Sequence, residues 1–147
     1  MISKNADHHP WKLSKTVLPQ HTDHAGVMWH GAYVSWLEEA RIEALSSIGL
    51  PYKELSSQGL ELPVVSLKIK YIKAANHGDQ IEMHSFCLPR NGIRLPWKTT
   101  FLKGGISLPA SAEVELVLVK VEGDDKKLMK TLPLSFYQAL SDLQKGP

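Results

Sequence analysis

The stretch Asp23-His24-Ala25-Gly26-Val27-Met28-Trp29-His30-Gly31-Ala32-Tyr33 leads from a short turn into a segment with helical spacing. It places one carboxylate, Asp23, directly before the start of a predicted long helix. The free N–H groups and the positive end of the dipole at a helix start can stabilise an oxyanion. A carboxylate beside them can attack a carbonyl carbon or activate water against it. The stretch therefore predicts where the main helix begins and where hydrolytic chemistry could occur.

The segment 31–48 is predicted to be this helix. Its apolar side chains recur at helical spacing, and Gly49 followed by Pro51 is a stop signal. The recurring residues are Tyr33, Trp36, Leu37, Ala40, Ala44 and Ile48. Further apolar residues lie off this stripe, so we expect a helix that is largely enclosed by other structure.

The rest of the chain is predicted to form strands, because its apolar residues alternate with polar ones. A connector, 50–59, follows the long helix, and a short helix, 134–143, closes the chain. The predicted strands are 11–18, 65–71, 81–87, 97–101 and 114–118. Consecutive strands with short turns predict an antiparallel sheet, and therefore an α+β domain in which one long helix packs on the sheet.

Composition narrows the possible classes of protein. The chain has 147 residues, of which 43% are apolar and 22% charged, as in a single globular domain spanning 1–147. A net charge of +2 without a basic run argues against nucleic-acid binding. No apolar run is long enough for a membrane span or a secretion signal, so we expect a cytoplasmic protein with no membrane partner. The lone Cys87 lies in an apolar strand pattern and is interpreted as a core thiol.

Three histidines, His21, His24 and His30, resemble metal ligands at first sight. The run His21-Thr22-Asp23-His24 matches part of the His-x-His-x-Asp-His motif of metallo-β-lactamase-type hydrolases. Pro19 stands where the first ligand of that motif would be, and the chain is short for that fold. We therefore expect no metal site.

Residues 18–49 resemble the hotdog-fold acyl-CoA thioesterases of the 4-hydroxybenzoyl-CoA thioesterase type. The family pattern is an acid, any residue, Ala-Gly, an apolar pair, an aromatic or His pair, a small residue and Tyr, then a helix with Trp and an acid. This chain supplies it in the quoted stretch and in Trp36-Leu37-Glu38-Glu39-Ala40-Arg41. The resemblance implies a hotdog fold over about 11–121, with the sheet wrapped around one central helix, and hydrolysis of an acyl-CoA.

Two further segments, Leu62-Pro63-Val64-Val65 and His77-Gly78-Asp79, resemble one branch of this family. That branch hydrolyses 1,4-dihydroxy-2-naphthoyl-CoA, an intermediate of quinone biosynthesis. The resemblance thus implies an aromatic acyl group. Thioesterases for short- or medium-chain fatty acyl-CoA or acyl-carrier protein, hotdog hydratases and non-catalytic acyl-binding proteins stay open as alternatives.

The resemblance also implies catalytic roles. Asp23 occupies the position of the catalytic carboxylate, as nucleophile or as general base. The thioester oxygen would be polarised by the backbone N–H groups of His30 and Gly31. Glu38 falls where relatives contact the acyl group, and it is the alternative catalyst because other hotdog thioesterases use a helix glutamate. Many relatives carry Asp at the position of His21, and a histidine there could alter acyl specificity.

Substrate contacts are predicted less directly. A core position is the favoured interpretation for Trp29, Tyr33 and Trp36, whereas an aromatic acyl group would require such rings to border its pocket. The resemblance implies that Arg90 and Arg94 bind the phosphates of coenzyme A.

The resemblance also implies a homo-oligomer, most simply a tetramer built from dimers, with active sites between subunits. Ser66 could then reach the site from the neighbouring chain. Water is the second substrate, so no cofactor is implied.

Each assignment has a simpler alternative. Asp23 could be an ordinary turn or helix-capping aspartate. Glu38 could be a solvated helix glutamate near Arg41, and Arg90 and Arg94 could be surface residues of a turn.

Overall fold

The computed structural model describes residues 8–147, without the side chains of residues 107 and 108. The helices in this range are α1 (His30–Ser47), α2 (Tyr52–Ser57) and α3 (Leu134–Lys145). The strands are β1 (Trp11–Thr16), β2 (Leu60–Glu61), β3 (Val64–Tyr71), β4 (Gln80–Cys87), β5 (Arg94–Lys103), β6 (Ser107–Val117), β7 (Val119–Glu122) and β8 (Asp125–Leu128).

The main sheet has five antiparallel strands in the order β1-β4-β5-β6-β3. Along β4 and β5 every second residue is buried, because one face of the sheet packs on the core. On this buried face Ser85 and Thr99 are cross-strand neighbours whose hydroxyl oxygens are 2.8 Å apart, so each satisfies the other. The predicted α+β class, with one long helix on an antiparallel sheet, is confirmed.

Helix α1 lies against the sheet along one side. It begins at His30, one residue earlier than predicted, because Trp29 takes the extended N-cap position. Its buried residues are Ala32, Tyr33, Trp36, Leu37, Ala40, Arg41, Ala44 and Leu45. Val34, on the other side, is 39% exposed. The expectation of a helix enclosed around its circumference is therefore wrong for a single chain.

Some elements were not predicted. The connector 50–59 contains α2, in which only Leu55 is buried, and it leads into a small sheet of order β2-β7-β8. All four residues of β8 are exposed, so no alternation marks it. β6 is longer than predicted, because Ala110 and Ala112 continue its buried face with side chains too small to stand out.

Strand β3 forms one edge of the main sheet and contains a β-bulge. Val64 lies opposite Leu116 while Ser66 lies opposite Glu115, so Val65 is the extra residue. The register then places Val64, Leu67, Ile69 and Tyr71 on the side that faces α1. Val64, Leu67 and Tyr71 are nevertheless 44%, 42% and 54% exposed. This edge is apolar and uncovered within one chain.

Strand β1 forms the opposite edge and is tied to both long helices. The Trp11 indole N–H donates to the Leu143 carbonyl of α3 at 2.8 Å, and Lys15 pairs with Glu39 of α1 at 2.9 Å. Helix α3 buries Phe136, Leu140 and Leu143, as predicted, and runs two residues further. No helix in residues 8–147 is both long and apolar enough to cross a membrane.

Candidate active site

The turn that carries Asp23 is held by its own carboxylate. Asp23 Oδ1 accepts hydrogen bonds from the backbone N–H groups of Ala25 at 2.9 Å and Val27 at 3.1 Å. Gly26 closes the turn with a φ of 77°, a conformation that favours glycine. Asp23 thus has the turn-forming role considered above. Its other oxygen, Oδ2, has no hydrogen-bond partner among the described residues, so one oxygen fixes the loop and the other is available for chemistry.

This turn is fastened to the segment that follows β3. The Met28 N–H donates to the Ala75 carbonyl at 2.7 Å, and the His77 N–H donates to the Gly26 carbonyl at 3.0 Å. The two loops are therefore joined, and the position of Asp23 depends on residues about fifty positions later in the chain.

Asp79 stabilises the segment that follows β3. Its Oδ2 accepts a hydrogen bond from the Asn76 N–H at 2.7 Å and pairs with Lys103 at 3.0 Å. The Asn76 N–H, helped by Lys103, holds the pKa of Asp79 below its usual value. The Asp79 backbone carbonyl also accepts from the Val17 N–H at 2.9 Å, which joins the loop to the end of β1.

The start of α1 presents unused donors. In the part of the chain that the structure describes, the backbone N–H groups of His30 and Gly31 have no hydrogen-bond acceptor. The Trp29 ring lies over Gly31 so closely that a Cβ atom at residue 31 would overlap it. Trp29 is 45% exposed, so the prediction of a core position is wrong for this residue. Glycine at residue 31 lets the indole fold onto the helix start.

These groups line one cleft of about 450 Å³, which we call the Asp23 cleft. Its lining includes Asp23, Trp29, His30, Tyr33, Tyr71 and Lys73. The Tyr33 ring is buried and meets the rings of Tyr71 and Phe101 edge to face at 5.3 and 5.0 Å. Burial, reinforced by Tyr71, raises the pKa of Tyr33 to about 12, so its hydroxyl stays protonated. The cleft combines a carboxylate, free N–H donors and an aromatic wall.

Two residues of this cleft, Tyr71 and Lys73, were not predicted as site residues. Tyr71 ends β3, and Lys73 follows it on the segment whose N–H groups bond to Pro109. Nothing in their local sequence connects them with Asp23, since sheet pairing brings the two segments together. An aromatic residue at the end of a strand and a cationic residue two positions later were the available signal.

Glu38 lines a second cavity, of about 400 Å³, between α1, α2 and β3. We call it the Arg41 cavity after the buried arginine in its wall. Eight residues of helix, about 12 Å, separate Glu38 from His30. Within one chain the structure therefore brings Asp23, Trp29, His30 and Tyr33 together and leaves Glu38 apart from them.

Ser66 lines neither of these cavities within one chain. The register pairs it with Glu115, on the face of β3 that points away from α1. The alternation predicted for this strand did not include the bulge at Val65, which separates the two parts of the strand. Ser66 can contribute to an acyl site only through another subunit.

Arg90 and Arg94 lie at the far end of the sheet from Asp23. Strand β4 starts beside the Asp79 loop and runs eight residues, about 26 Å, before the turn that carries them. Arg90 donates to the carbonyls of Gly92 and Lys130, and Arg94 pairs with Glu115 at 3.2 Å. One chain does not bring these arginines to its own Asp23, so a coenzyme A contact would have to cross to a neighbouring subunit.

His21, one of the three histidines considered as metal ligands, makes structural contacts. His21 Nδ1 accepts a hydrogen bond from the Leu18 N–H at 3.1 Å, and its ring meets Trp36 at 5.1 Å. Within residues 8–147 no group of three His, Cys, Asp or Glu side chains is arranged to hold a metal ion. Cys87 is buried in the core, and burial raises the pKa of its thiol to about 12.

Comparison with known proteins identifies the family of this chain. Residues 17–140 match the family described as the thioesterase-like superfamily. A Synechocystis protein provisionally named an esterase, sll0410, is 36% identical over 123 residues, covering 84% of this chain and 74% of its own length. YneP of Bacillus subtilis, provisionally named an acyl-CoA thioesterase, is 26% identical over 121 residues, covering 82% of this chain and 83% of its own.

A solved structure, Slr0204, a 1,4-dihydroxy-2-naphthoyl-CoA thioesterase from Synechocystis, has the same fold. The TM-score is 0.79 at 23% identity, over 90% of this chain and 96% of that chain. The predicted family and its hotdog fold are confirmed. This chain belongs to the thioesterase-like superfamily and is a thioester hydrolase with the hotdog fold.

Proposed function

We propose that this protein hydrolyses the thioester of an aromatic acyl-CoA, with 1,4-dihydroxy-2-naphthoyl-CoA as the best single candidate. The observation that carries the proposal is the Asp23 cleft. It places a carboxylate with one free oxygen beside the unused N–H groups at the start of α1. Removing one such oxyanion donor typically costs about 3 kcal/mol of transition-state stabilisation.

The reaction needs only groups that this cleft supplies, together with water. The thioester oxygen would accept hydrogen bonds from the N–H groups of His30 and Gly31. Asp23 would then attack the carbonyl carbon, releasing the CoA thiolate and leaving a mixed anhydride that water hydrolyses. Alternatively, Asp23 would take a proton from the water that attacks. Both routes yield a free acid and CoA thiol, and neither requires a cofactor.

The aromatic wall supports the choice of acyl group. Trp29, Tyr33 and Tyr71 border the same cleft as Asp23, and flat rings favour stacked or edge-on contacts with an aromatic acyl group. The name of Slr0204 records this substrate class for a protein of the same fold.

A fatty acyl substrate, on CoA or on acyl-carrier protein, is the second candidate. The Arg41 cavity supports it, because leucine and valine side chains make up most of its walls. A non-catalytic acyl-CoA-binding protein would keep both cavities and lack turnover.

We further propose a homo-oligomer, a tetramer built from dimers, acting in the cytoplasm. The exposed edge strand β3 lines both cavities, through Leu67 and Tyr71. A second copy seated on this edge would bury its apolar residues, occupy its free backbone groups and close both cavities. The active sites would then lie between subunits, where Ser66, Arg90 and Arg94 of a neighbour could reach them.

Asp23→Asn is the direct test. The amide keeps the shape and removes the anionic nucleophile or base, so we expect kcat for CoA thiol release to fall by at least about a hundredfold. Asp124→Asn, in the exposed turn between β7 and β8, is the matched control and should keep wild-type activity. Near-normal turnover by Asp23→Asn would contradict the assignment, and an inactive Glu38→Gln variant would move catalysis to the helix glutamate.

A panel of acyl-CoA esters tests the substrate class. We expect aryl thioesters to exceed medium-chain fatty acyl thioesters in kcat/KM. A clear preference for decanoyl-CoA would reject the aromatic proposal and leave thioester hydrolysis standing.

A further inference from the structure

The Arg41 side chain is buried, with the Tyr52 hydroxyl within hydrogen-bonding reach of its guanidinium. Arg41 is 7% exposed, and its Nε–H has no hydrogen-bond partner among the described residues. It also forms no ion pair with any carboxylate of residues 8–147. A guanidinium carries five donors and no acceptor, so burying it beside one neutral hydroxyl and without an ion pair is costly unless something else supplies an oxygen. Burial accordingly lowers the pKa of Arg41, and the nearby Tyr52 and Glu38 oppose that shift.

Arg41 lines the Arg41 cavity, so a molecule there could supply an oxygen to the part of the guanidinium that faces it, although the Nε–H itself is enclosed. The cavity volume of about 400 Å³ suits a small organic group, and its walls are largely apolar. Its charges also balance. Glu38 offsets Arg41, and Glu61 pairs with Lys126 at 3.1 Å. A neutral cavity with a donor-rich wall and an acceptor at Glu38 suits a hydroxyl, which accepts from one group and donates to the other, better than a carboxylate.

The Arg41 cavity and the Asp23 cleft lie one after the other along the same sides of α1 and β3. On α1, His30, Val34 and Glu38 follow one another at four-residue spacing along one side of the helix. On β3, Tyr71 lines the Asp23 cleft and Leu67 lines the Arg41 cavity, on the same face of the strand. Arg41 lies eleven positions after His30, about 16 Å along the helix, and a helical side chain leans back toward the N-terminus.

We propose that the Arg41 cavity receives the far end of the acyl group, where Arg41 donates hydrogen bonds to a hydroxyl oxygen. Arg41 is then a specificity residue that selects hydroxylated acyl groups over plain hydrocarbon ones. This inference rests on the proposed thioesterase function and adds the chemistry of the substrate's distal end. A purely structural Arg41, which only steadies Tyr52 and Glu38, is the competing explanation.

The test compares three matched esters: 2-naphthoyl-CoA, its 6-hydroxy derivative and its 6-carboxy derivative. We expect the wild type to favour the hydroxy ester over the plain one by about tenfold or more in kcat/KM, the scale of a hydrogen bond to a charged donor. In Arg41→Met this ratio should fall to about one. Octanoyl-CoA and its 8-hydroxy derivative give the same comparison for an aliphatic chain.

Two variants distinguish recognition of the acyl hydroxyl by Arg41 from a purely structural role of this residue. Glu43→Met changes an exposed charge on the same helix and should leave the ratio unchanged. Arg41→Met should keep or raise the melting temperature, because replacing an unpaired buried charge by an apolar side chain is often neutral or stabilising. A lower melting temperature with the hydroxyl preference retained would assign Arg41 a structural role and overturn the proposal.

Binding is measured apart from turnover, by calorimetric titration of the same esters into Asp23→Asn with and without Arg41→Met. If hydrolysis is absent in every protein, the proposed function fails, and the titration still decides the role of Arg41. Tighter binding of the hydroxy ester that disappears with Arg41→Met supports the inference. Equal binding of plain and hydroxy esters, or a preference for the carboxy ester, overturns it.

Discussion

The two edges of the main sheet differ in whether other parts of the chain cover them. Strand β1 is held by α1 through Lys15 and by α3 through Trp11. Strand β3 has no such cover in the described chain, although it carries apolar residues and lines both cavities. The chain thus covers the β1 edge with its own helices and leaves the β3 edge, which borders both cavities, uncovered. The difference fits the proposed homo-oligomer, in which a second copy would pair with β3 and complete the substrate site.

The largest expected effect comes from adding charge to the open edge. Val65→Lys places a cation at the bulge, outside both cavities, and a two-fold interface would contain it twice. We expect light scattering to show a chain of about 16.4 kDa, the monomer mass. Hydrolysis should fall by at least about tenfold as the sites lose their second wall.

Ser14→Lys is the matched change on β1, where the residue is also exposed. It should leave both mass and activity unchanged. If Ser14→Lys dissociated the protein and Val65→Lys did not, the interface would lie at the covered edge and the comparison would be reversed.

A smaller effect is expected from the arginines at the far end of the sheet. Replacing Arg90 and Arg94 with Ala should raise KM several-fold and leave kcat nearly unchanged, because contacts to the CoA nucleotide bind ground state and transition state alike. The effect should shrink as salt rises, since exposed charges are screened over about 8–10 Å at physiological ionic strength. Lys127→Ala, on exposed β8, is the control.

Subunit mixing shows whether these arginines act across the interface. Subunits with Asp23→Asn, mixed with subunits that lack both arginines, should form some sites with every wild-type group and so recover a low KM. Absence of recovery in mixed oligomers would place the arginines outside the substrate site.

The smallest expected effect concerns the segment between β3 and β4, which carries Asp79 and is hydrogen-bonded to the end of β1 and to the Asp23 turn. Asp79 has a lowered pKa in the folded protein, so its ionised form stabilises the fold above the unfolded value of about 3.9. This stabilisation is lost as the pH falls through the lower folded value. Asp79→Asn should therefore lower the melting temperature at pH 7 by a few degrees.

The difference from wild type should shrink steadily as the pH is lowered from about 5 to 2. A difference that stays constant over this range would show that the Asp79 charge does not hold the loop.

Local patterns made much of the fold predictable. Apolar alternation marks β4 and β5 because one face is buried, and Gly49 with Pro51 marks the end of α1. β8 has no buried residue and α2 has one, so neither leaves a periodic signal. The extra residue at Val65 is likewise invisible, because a bulge depends on the partner strand.

Some residues of the candidate site could likewise be predicted from local sequence, and others could not. Asp23, His30 and Tyr33 lie within eleven consecutive residues, so a local motif could predict that they share a cleft. Tyr71 joins them through sheet pairing. The helical pattern did not mark Arg41 as buried, and only its packing against α2 and β3 makes it a buried donor.

The bulge at Val65 also bears on the chain before it meets its partner. A newly made chain presents β3 as an uncovered apolar edge, which is a template for aggregation with foreign strands. The bulge bends the strand, so a straight strand cannot pair along its whole length. Lys68 and Lys70 add charge to the same edge, which natural sheets use against indiscriminate pairing. The irregularity therefore opposes pairing with a straight foreign strand, whereas the second copy of the proposed oligomer would carry the same bend.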